Sequence, residues 1–223
     1  MLVTRAVLVL VTAAHLVAQL VVPEGTAAEV TQPLLMPALA AVLVTGTSSS
    51  RPRLVRLTLV ALFFSWLGDT VPRFVGDDLG FLVMVGCFLL AQVAYVVAFW
   101  PARHASLASR PLLVAPYLVA LVVLVALCRE GAGGLLVPVV VYGVALAAMA
   151  VLATGLGPVA GVGGAVFMLS DSLIALRAFA DVELPAHSFW VMLTYVAGQA
   201  LLVAAVRARA ADTAPAPGLL STT

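Results

Sequence analysis

The chain has 223 residues, 64% of them hydrophobic and only 9% charged, with a formal net charge of +1 and a mean hydropathy of +1.19. Soluble domains carry about 25% charged residues, so the composition excludes an ordinary globular enzyme. The near-zero charge provides no electrostatic footprint for nucleic acid.

Apolar runs of about twenty residues recur along most of the chain, and such runs read as transmembrane helices. The expected fold is all-α, a multi-pass integral membrane bundle of eight transmembrane helices. The first run, 2–22, is longer than a signal-peptide core and lacks a clean small-residue cleavage site before Pro23, so it reads as a retained first helix. The second, 30–45, is about sixteen residues long and contains Pro33 and Pro37; local bilayer thinning or snorkelling can accommodate so short a span. The third, 54–74, carries an aspartate inside "LFFSWLGDTVPRF". The remaining spans are 79–100, 110–127, 134–153, 158–180 and 187–206. Residues 1–209 thus form one transmembrane domain. Residues 210–223, rich in Ala, Pro and Thr, read as a disordered cytoplasmic tail.

Charge segregation supports this count. Cytoplasmic loops are enriched in Arg and Lys. With eight spans and the N-terminus inside, Arg5, Arg51, Arg53, Arg56, Arg103, Arg110, Arg207 and Arg209 fall on the cytoplasmic side. Glu24, Glu29, Asp77, Asp78, Glu130, Asp181 and Glu183 fall outside. Without the short second helix, Glu24 and Glu29 would share a loop with Arg51, Arg53 and Arg56. The expected location is the cell membrane, with both termini cytoplasmic.

Few ionisable groups are left inside the membrane: Asp69 in the third span, Asp171 in the seventh, and His15 in the first. Arg73 and Arg177 lie further along the two aspartate helices, near the outer edge. Intramembrane ionisable residues face the protein interior and are functional candidates by default. The competing reading is that each aspartate is interhelical glue bonded to a Ser or Tyr on a neighbour, and that the arginines snorkel to headgroups. A single histidine with no carboxylate nearby in sequence reads as a packing residue.

A weak internal repeat links the aspartates. "LLMP" (34–37) recurs as "LLVP" (135–138), "FLVM" (81–84) as "FWVM" (189–192), and Asp69 and Asp171 share a similar offset. Two four-helix halves related by an axis along the membrane normal would place the two acids opposite each other. Both would lie about 12–15 Å below the outer acidic rim, at 1.5 Å per residue.

Two adjacent carboxyls in a low dielectric cannot both ionise, so one stays protonated. Such a pair can act as general acid and as base or electrostatic stabiliser in a reaction through an oxocarbenium-like cation. Metal chemistry is poorly supported. A catalytic zinc wants about three His or carboxylate ligands, and by topology His104 lies inside while His187 lies outside. Cys87 and Cys128 lack CxxC spacing, which speaks against a thiolate metal site or a disulfide framework. No metal site and no cofactor is expected.

Several segments together resemble the YhhN family of eight-helix membrane proteins, whose characterised members are lysoplasmalogenases. "SWLGDTVPRF" resembles the family's S-x-x-G-D segment through Ser65, Gly68 and Asp69. "GCFLLAQVAYVVAF" is similar to the following helix, with Tyr95 kept and Gln92 where the family usually has histidine. "FMLSDSLIALRAF" resembles the Ser-Asp-Ser helix through Ser170, Asp171 and Ser172. "TYVAGQALL" resembles the last helix through Tyr195 and Gln199. "QPLLMPAL" resembles a Lys-Pro-Leu segment, with Gln32 in place of lysine.

The resemblance implies hydrolysis of the vinyl-ether bond of a lysoplasmalogen, giving a fatty aldehyde and glycerophosphoethanolamine or glycerophosphocholine. It implies Asp69 and Asp171 as the catalytic pair. Ser65, Arg73, Gln92, Tyr95, Ser170, Ser172, Arg177, Tyr195 and Gln199 would support them or bind substrate. The expected partners are a lysophospholipid substrate and membrane lipids; the oligomeric state is left open. A proton transferred to an enol-ether carbon gives an oxocarbenium ion, which is chemistry the carboxyl pair could perform unaided. Arg73 or Arg177 could meet the phosphate. Asp69 has Arg73 at i+4, potentially on the same face, which favours Asp69 as the ionised member. Asp171 lacks such a neighbour and is slightly favoured as the acid. Two other readings stay open: a proton-coupled transporter, to which the Gly-rich "GLGPVAGVGG" (155–164) would lend itself as a broken helix, and a non-catalytic membrane scaffold.

Overall fold

The computed structural model describes residues 1–23, 25–47 and 51–212. Eight α-helices account for nearly all of them: α1 Leu2–Val21, α2 Thr26–Thr45, α3 Arg53–Thr70, α4 Asp77–Phe99, α5 Pro111–Ala132, α6 Leu136–Ala153, α7 Pro158–Ala180 and α8 His187–Asp212. No strand occurs among the described residues. Of the expected tail, residues 210–212 continue α8 and 213–223 lie outside the described residues. Glu24 and the side chains of Asp77 and Asp78, which the charge map uses, lie outside them too.

Seven helical stretches among the described residues are long and apolar enough to cross a membrane. One of them, Pro111–Leu156, is 46 residues long and holds both α5 and α6. A straight helix of that length would be about 70 Å, more than twice the hydrocarbon thickness of about 30 Å. Instead, a 3-10 turn at Gly133–Leu135 reverses the chain. Gly133 sits there at φ 48, a conformation open to glycine, and α5 packs against α6.

The second helix is longer than its hydropathy indicates. It has 20 residues, beginning at Thr26 rather than at residue 30, with Glu29 in its first turn where the helix dipole favours an acid. Its two prolines, four residues apart, explain its contacts. Each proline lacks an N–H, so the carbonyl four residues earlier loses its helical partner. Pro33 frees the Glu29 carbonyl, which accepts from the Arg73 guanidinium. Pro37 frees the Pro33 carbonyl, which accepts from Trp66 Nε1 at 3.0 Å. Both donors come from the α3 segment, so the backbone defects of α2 become the joints that fix α3 beside it. Freed carbonyls in hydrocarbon must be re-satisfied in this way.

The tightest packing joins α7 to α8. A Cβ at Gly163 would stand 2.9 Å from Leu201 Cβ, and one at Gly198 would stand 2.8 Å from the Phe167 nitrogen. Small residues here let the two backbones approach. Gly155, Gly163 and Gly164 of "GLGPVAGVGG" therefore serve close packing, Gly157 takes the positive φ before α7, and α7 runs unbroken from Pro158 to Ala180. By contrast, α5 keeps few buried residues, and its outer face of Leu112, Leu118, Val119 and Val122 is exposed, as a lipid-facing helix would be. The interior is filled by Leu35, Leu39, Tyr95, Phe99, Phe167 and Leu202.

Candidate functional site

Asp69 lies one residue from the end of α3 and is buried. Both carboxylate oxygens accept a hydrogen bond. Tyr195 of α8 donates to Oδ2 at 2.8 Å, and Gln32 of α2 donates through Nε2 to Oδ1 at 3.2 Å. The other end of the Gln32 amide accepts from Arg73 at 2.7 Å. The expected i+4 pairing of Arg73 with Asp69 is therefore corrected. After Thr70 the chain passes into a 3-10 turn, Val71–Phe74, containing Pro72, so Arg73 leaves the helical face of Asp69. It reaches the carboxylate through Gln32, while its guanidinium still acts on Asp69 through space.

One turn deeper, a second polar chain ties α3 and α8 to α4. Tyr95 of α4 donates to Gln199 Oε1 at 2.5 Å, and Gln199 Nε2 donates to Ser65 Oγ at 3.1 Å. Tyr95, Gln199 and Ser65 are fully or nearly fully buried. With every member bonded, such a network fixes rotamers and helix register. Tyr95 also stacks on Phe99 at 5.4 Å between centroids.

Asp171 lies mid-way along α7 and is also buried. Its surroundings differ. Among the described residues, the one side chain bonded to it is Tyr142 of α6, which donates to Oδ2. Asp171 and Tyr142 together line a narrow apolar cavity of about 60 Å3 whose walls include Phe81, Met84, Phe88 and Ile174. Gln92, on α4, is wholly buried beside Tyr142. Its amide lies within interaction range of the Tyr142 hydroxyl, but neither amide atom makes a hydrogen bond of good geometry among the described residues.

The two carboxyls are neighbours in the electrostatic sense. A charge on Asp69 acts on Asp171, and Tyr195 lies within range of both. The wall between them is aromatic. Phe88 lines the Asp171 cavity and packs edge-on against the Tyr195 ring at 5.8 Å. The glycine of the S-x-x-G-D segment makes this possible, because a Cβ on Gly68 would stand 2.8 Å from the Phe88 ring.

The predicted residues thus fall into four groups. Asp69, Arg73 and Tyr195, with Gln32 added, form one hydrogen-bonded chain, and Ser65, Tyr95 and Gln199 form a second one turn away. Asp171 and Gln92 gather around Tyr142. Ser170, Ser172 and Arg177 stand apart from the carboxyl pair. Ser170 Oγ donates to the Val191 carbonyl of α8 at 2.9 Å, a joint between helices. Ser172 Oγ turns back to the Met168 carbonyl at 2.7 Å and lines a groove beside Pro116 and Tyr117 of α5. Arg177 reaches Glu183 at 3.4 Å and lines a different, wider cavity of about 530 Å3, together with His187, Ser188 and Gln19.

Tyr142 escaped the sequence reading. Its signal is that it is the one hydroxyl-bearing side chain of α6, in "LVPVVVYGVALAAMAVLA". Among the described residues, no group of three or more His, Cys, Asp or Glu is placed to hold a metal ion.

Chemically, one carboxylate with a donor on each oxygen and one carboxyl with a single donor beside an apolar cavity are unlike groups. The first arrangement is that of an ionised acid; the second leaves an oxygen free to carry a proton. The comparisons with known proteins bear on what such a pair would do. A family model described as the YhhN family matches residues 27–206, which include both aspartates and every side chain placed around them here. No curated protein and no solved structure matches the chain.

Proposed function

The chain belongs to the YhhN family, and from that membership and the geometry of the carboxyl pair we propose that it is a membrane-embedded hydrolase of vinyl-ether lysophospholipids. The observation that carries this reading is the inequality of the two aspartates: Asp171 faces an apolar cavity with one oxygen bonded, and Asp69 is bonded on both. Asp171 is the general acid and Asp69 the general base in this proposal.

The reaction would run in three balanced steps. Asp171 gives its proton to the β-carbon of the alkenyl ether, and the electron pair of the double bond forms the new C–H bond. The resulting oxocarbenium ion is stabilised by the Asp69 carboxylate. Water adds to the cationic carbon while losing a proton to Asp69. The hemiacetal then collapses, with cleavage of the bond between the former vinyl carbon and the glycerol oxygen. The proton of the hemiacetal hydroxyl passes to the departing glycerol oxygen, the electron pair of that O–H bond forms the aldehyde carbonyl, and the proton taken up by Asp69 returns to Asp171. No electron leaves the system, and water is the co-reactant.

Tyr142 would hold the Asp171 carboxyl in place, and Tyr195 and Gln32 would keep Asp69 ionised and oriented. Gln92, standing where the family usually has histidine, cannot relay a proton by titrating, but its two unpaired amide atoms suit a bound water. Eight crossings, with both termini on the arginine-rich side in a cell membrane, complete the proposal. The Asp69–Asp171 offset would then reflect two four-helix halves.

The interhelical-glue reading uses the same aspartate–tyrosine bonds, so activity has to separate them. Purified protein with an alkenyl lysophospholipid should release fatty aldehyde, and D171N and D69N should stop it while the protein stays folded. Aldehyde release surviving either substitution would overturn the two-carboxylate mechanism. Proton-dependent uptake in vesicles without any aldehyde would favour a carrier instead.

A further inference from the structure

The wider cavity lies at the end of the bundle where α7 ends and α8 begins, and it shares Phe81, Met84 and Ile174 with the narrow cavity of Asp171. A ligand seated in one therefore borders the other. Three of the polar side chains that line it matter here, and two of them keep a buried hydrogen-bonding atom without a partner among the described residues.

The first is His187, whose ring is buried. Its Nδ1 accepts the backbone N–H of Leu184 at 3.2 Å. The ring proton of the neutral imidazole must then sit on Nε2, which is buried and without a partner among the described residues. The second is Gln19, also buried. Thr31 Oγ1 donates to the Ala27 carbonyl at 2.6 Å, so it accepts from His15 Nδ1 at 2.8 Å. His15 Nε2 is then an acceptor, and Gln19 Nε2 donates to it at 3.2 Å. This chain fixes the amide orientation and leaves Gln19 Oε1 as a buried acceptor with no partner among the described residues. The third is Arg177, whose guanidinium is braced by Glu183 at 3.4 Å and by Ser188 Oγ at 3.4 Å.

We infer that this cavity is a headgroup subsite for a phosphodiester with a free hydroxyl on the adjoining glycerol. Arg177 and His187 Nε2 take the phosphate oxygens, and Gln19 Oε1 accepts the hydrogen of the sn-2 hydroxyl. A cation and a neutral donor suit a phosphodiester monoanion. A buried acceptor selects for a hydroxyl, because a ligand lacking it leaves the acceptor unpaired. The inference rests on the proposed lipid hydrolase. It makes the preference for a lyso lipid a property of Gln19, since an sn-2 ester or ether has no hydrogen to give.

Binding of uncleavable ligands tests it without relying on turnover. The probes are a 1-O-alkyl lysophospholipid with no vinyl ether, the 1-O-alkylglycerol of equal chain length, and the 2-O-methyl ether of the lysophospholipid. Titration of the purified full chain, followed by tryptophan fluorescence, should show the lysophospholipid binding at least tenfold tighter than the alkylglycerol. R177Q and H187A should each erase most of that ratio while leaving alkylglycerol affinity unchanged, which also reports that the variants fold. H187Q, which retains a donor, should recover part of it. Q19L should bring the lysophospholipid and its 2-O-methyl ether to equal affinity. Equal binding of lysophospholipid and alkylglycerol by the unaltered protein, or a full ratio in both R177Q and H187A, would overturn the subsite. Inorganic phosphate should leave lysophospholipid binding unchanged; displacement by low millimolar phosphate would reassign the cavity to a free anion. Aldehyde release with no headgroup ratio would refute the subsite alone, and a clear ratio with no aldehyde release would refute the hydrolase alone.

Discussion

The two aspartates occupy opposite kinds of surroundings inside one bundle. Asp69 sits at the end of its helix, where a 3-10 turn and the backbone defects of α2 bring Gln32 and Arg73 to it. Asp171 sits in the middle of an unbroken helix, with one tyrosine and an apolar cavity. A carboxylate whose oxygens both have donors is stabilised as an anion; one with a single donor beside hydrocarbon is stabilised as a neutral acid. The same residue type thus acquires two roles from the irregularity of one helix end and the regularity of another helix.

The substitution expected to do most damage is D171N, which removes the transferable proton. Aldehyde release should fall by about 10²–10⁴-fold, the usual worth of general acid catalysis. Single-turnover assays on folded protein would check it. D69N should cost about 10²-fold or more by removing the anion whose field reaches Asp171 and, in this proposal, steadies the cationic intermediate. Its residual activity should also lose one limb of the pH profile. A base must be ionised to act, so the unaltered enzyme slows as pH falls through the titration of the pair; with asparagine at 69 that acidic limb flattens. The alkaline limb, set by loss of the proton from the acid, should remain.

Smaller effects sharpen the comparison. Y142F takes the tyrosine donor from Asp171 and should reduce turnover about tenfold with little change in substrate affinity, a split visible in kcat against KM. Q32L cuts the relay between Arg73 and Asp69 and should cost about tenfold or less, because Tyr195 still holds the second oxygen. G68A should act on stability. The new Cβ would press on the Phe88 ring, so a loss of about 1–3 kcal/mol is expected from overpacking, read as a lower melting temperature in detergent. At the other extreme, S172A should stay within about twofold of the unaltered rate, because Ser172 faces α5 and bonds only its own helix.

Much of this architecture is legible in the sequence. Long apolar spans show the helices, and the prolines and glycines mark where they join. The spans misjudged by hydropathy are those with polar ends. The first turn of α2 contains Thr26 and Glu29, and the last turns of α8 contain Arg207, Arg209 and Asp212, so a hydropathy window stops short of the hydrogen-bonded helix. Asp69 and Asp171 stand out because a charge in an apolar run is rare. Ser172 enters through the resemblance to a Ser-Asp-Ser helix, but adjacent positions on a helix point about 100° apart, and packing turns its hydroxyl toward α5 and away from the cavity of Asp171. Tyr142, Gln19 and His187 were missed for the converse reason. None of the three lies in a segment that the motifs single out, and their roles appear only when α1, α6, α7 and α8 are brought together.

The most direct test of the central claim follows the proton to carbon. Turnover of an alkenyl lysophospholipid in deuterium oxide, with the aldehyde reduced as it forms, should yield an alcohol carrying one solvent deuterium at carbon 2. D171N should yield none above background. Aldehyde formed without deuterium at carbon 2, or one-deuterium product formed at an undiminished rate by D171N, would contradict protonation of the vinyl ether by Asp171.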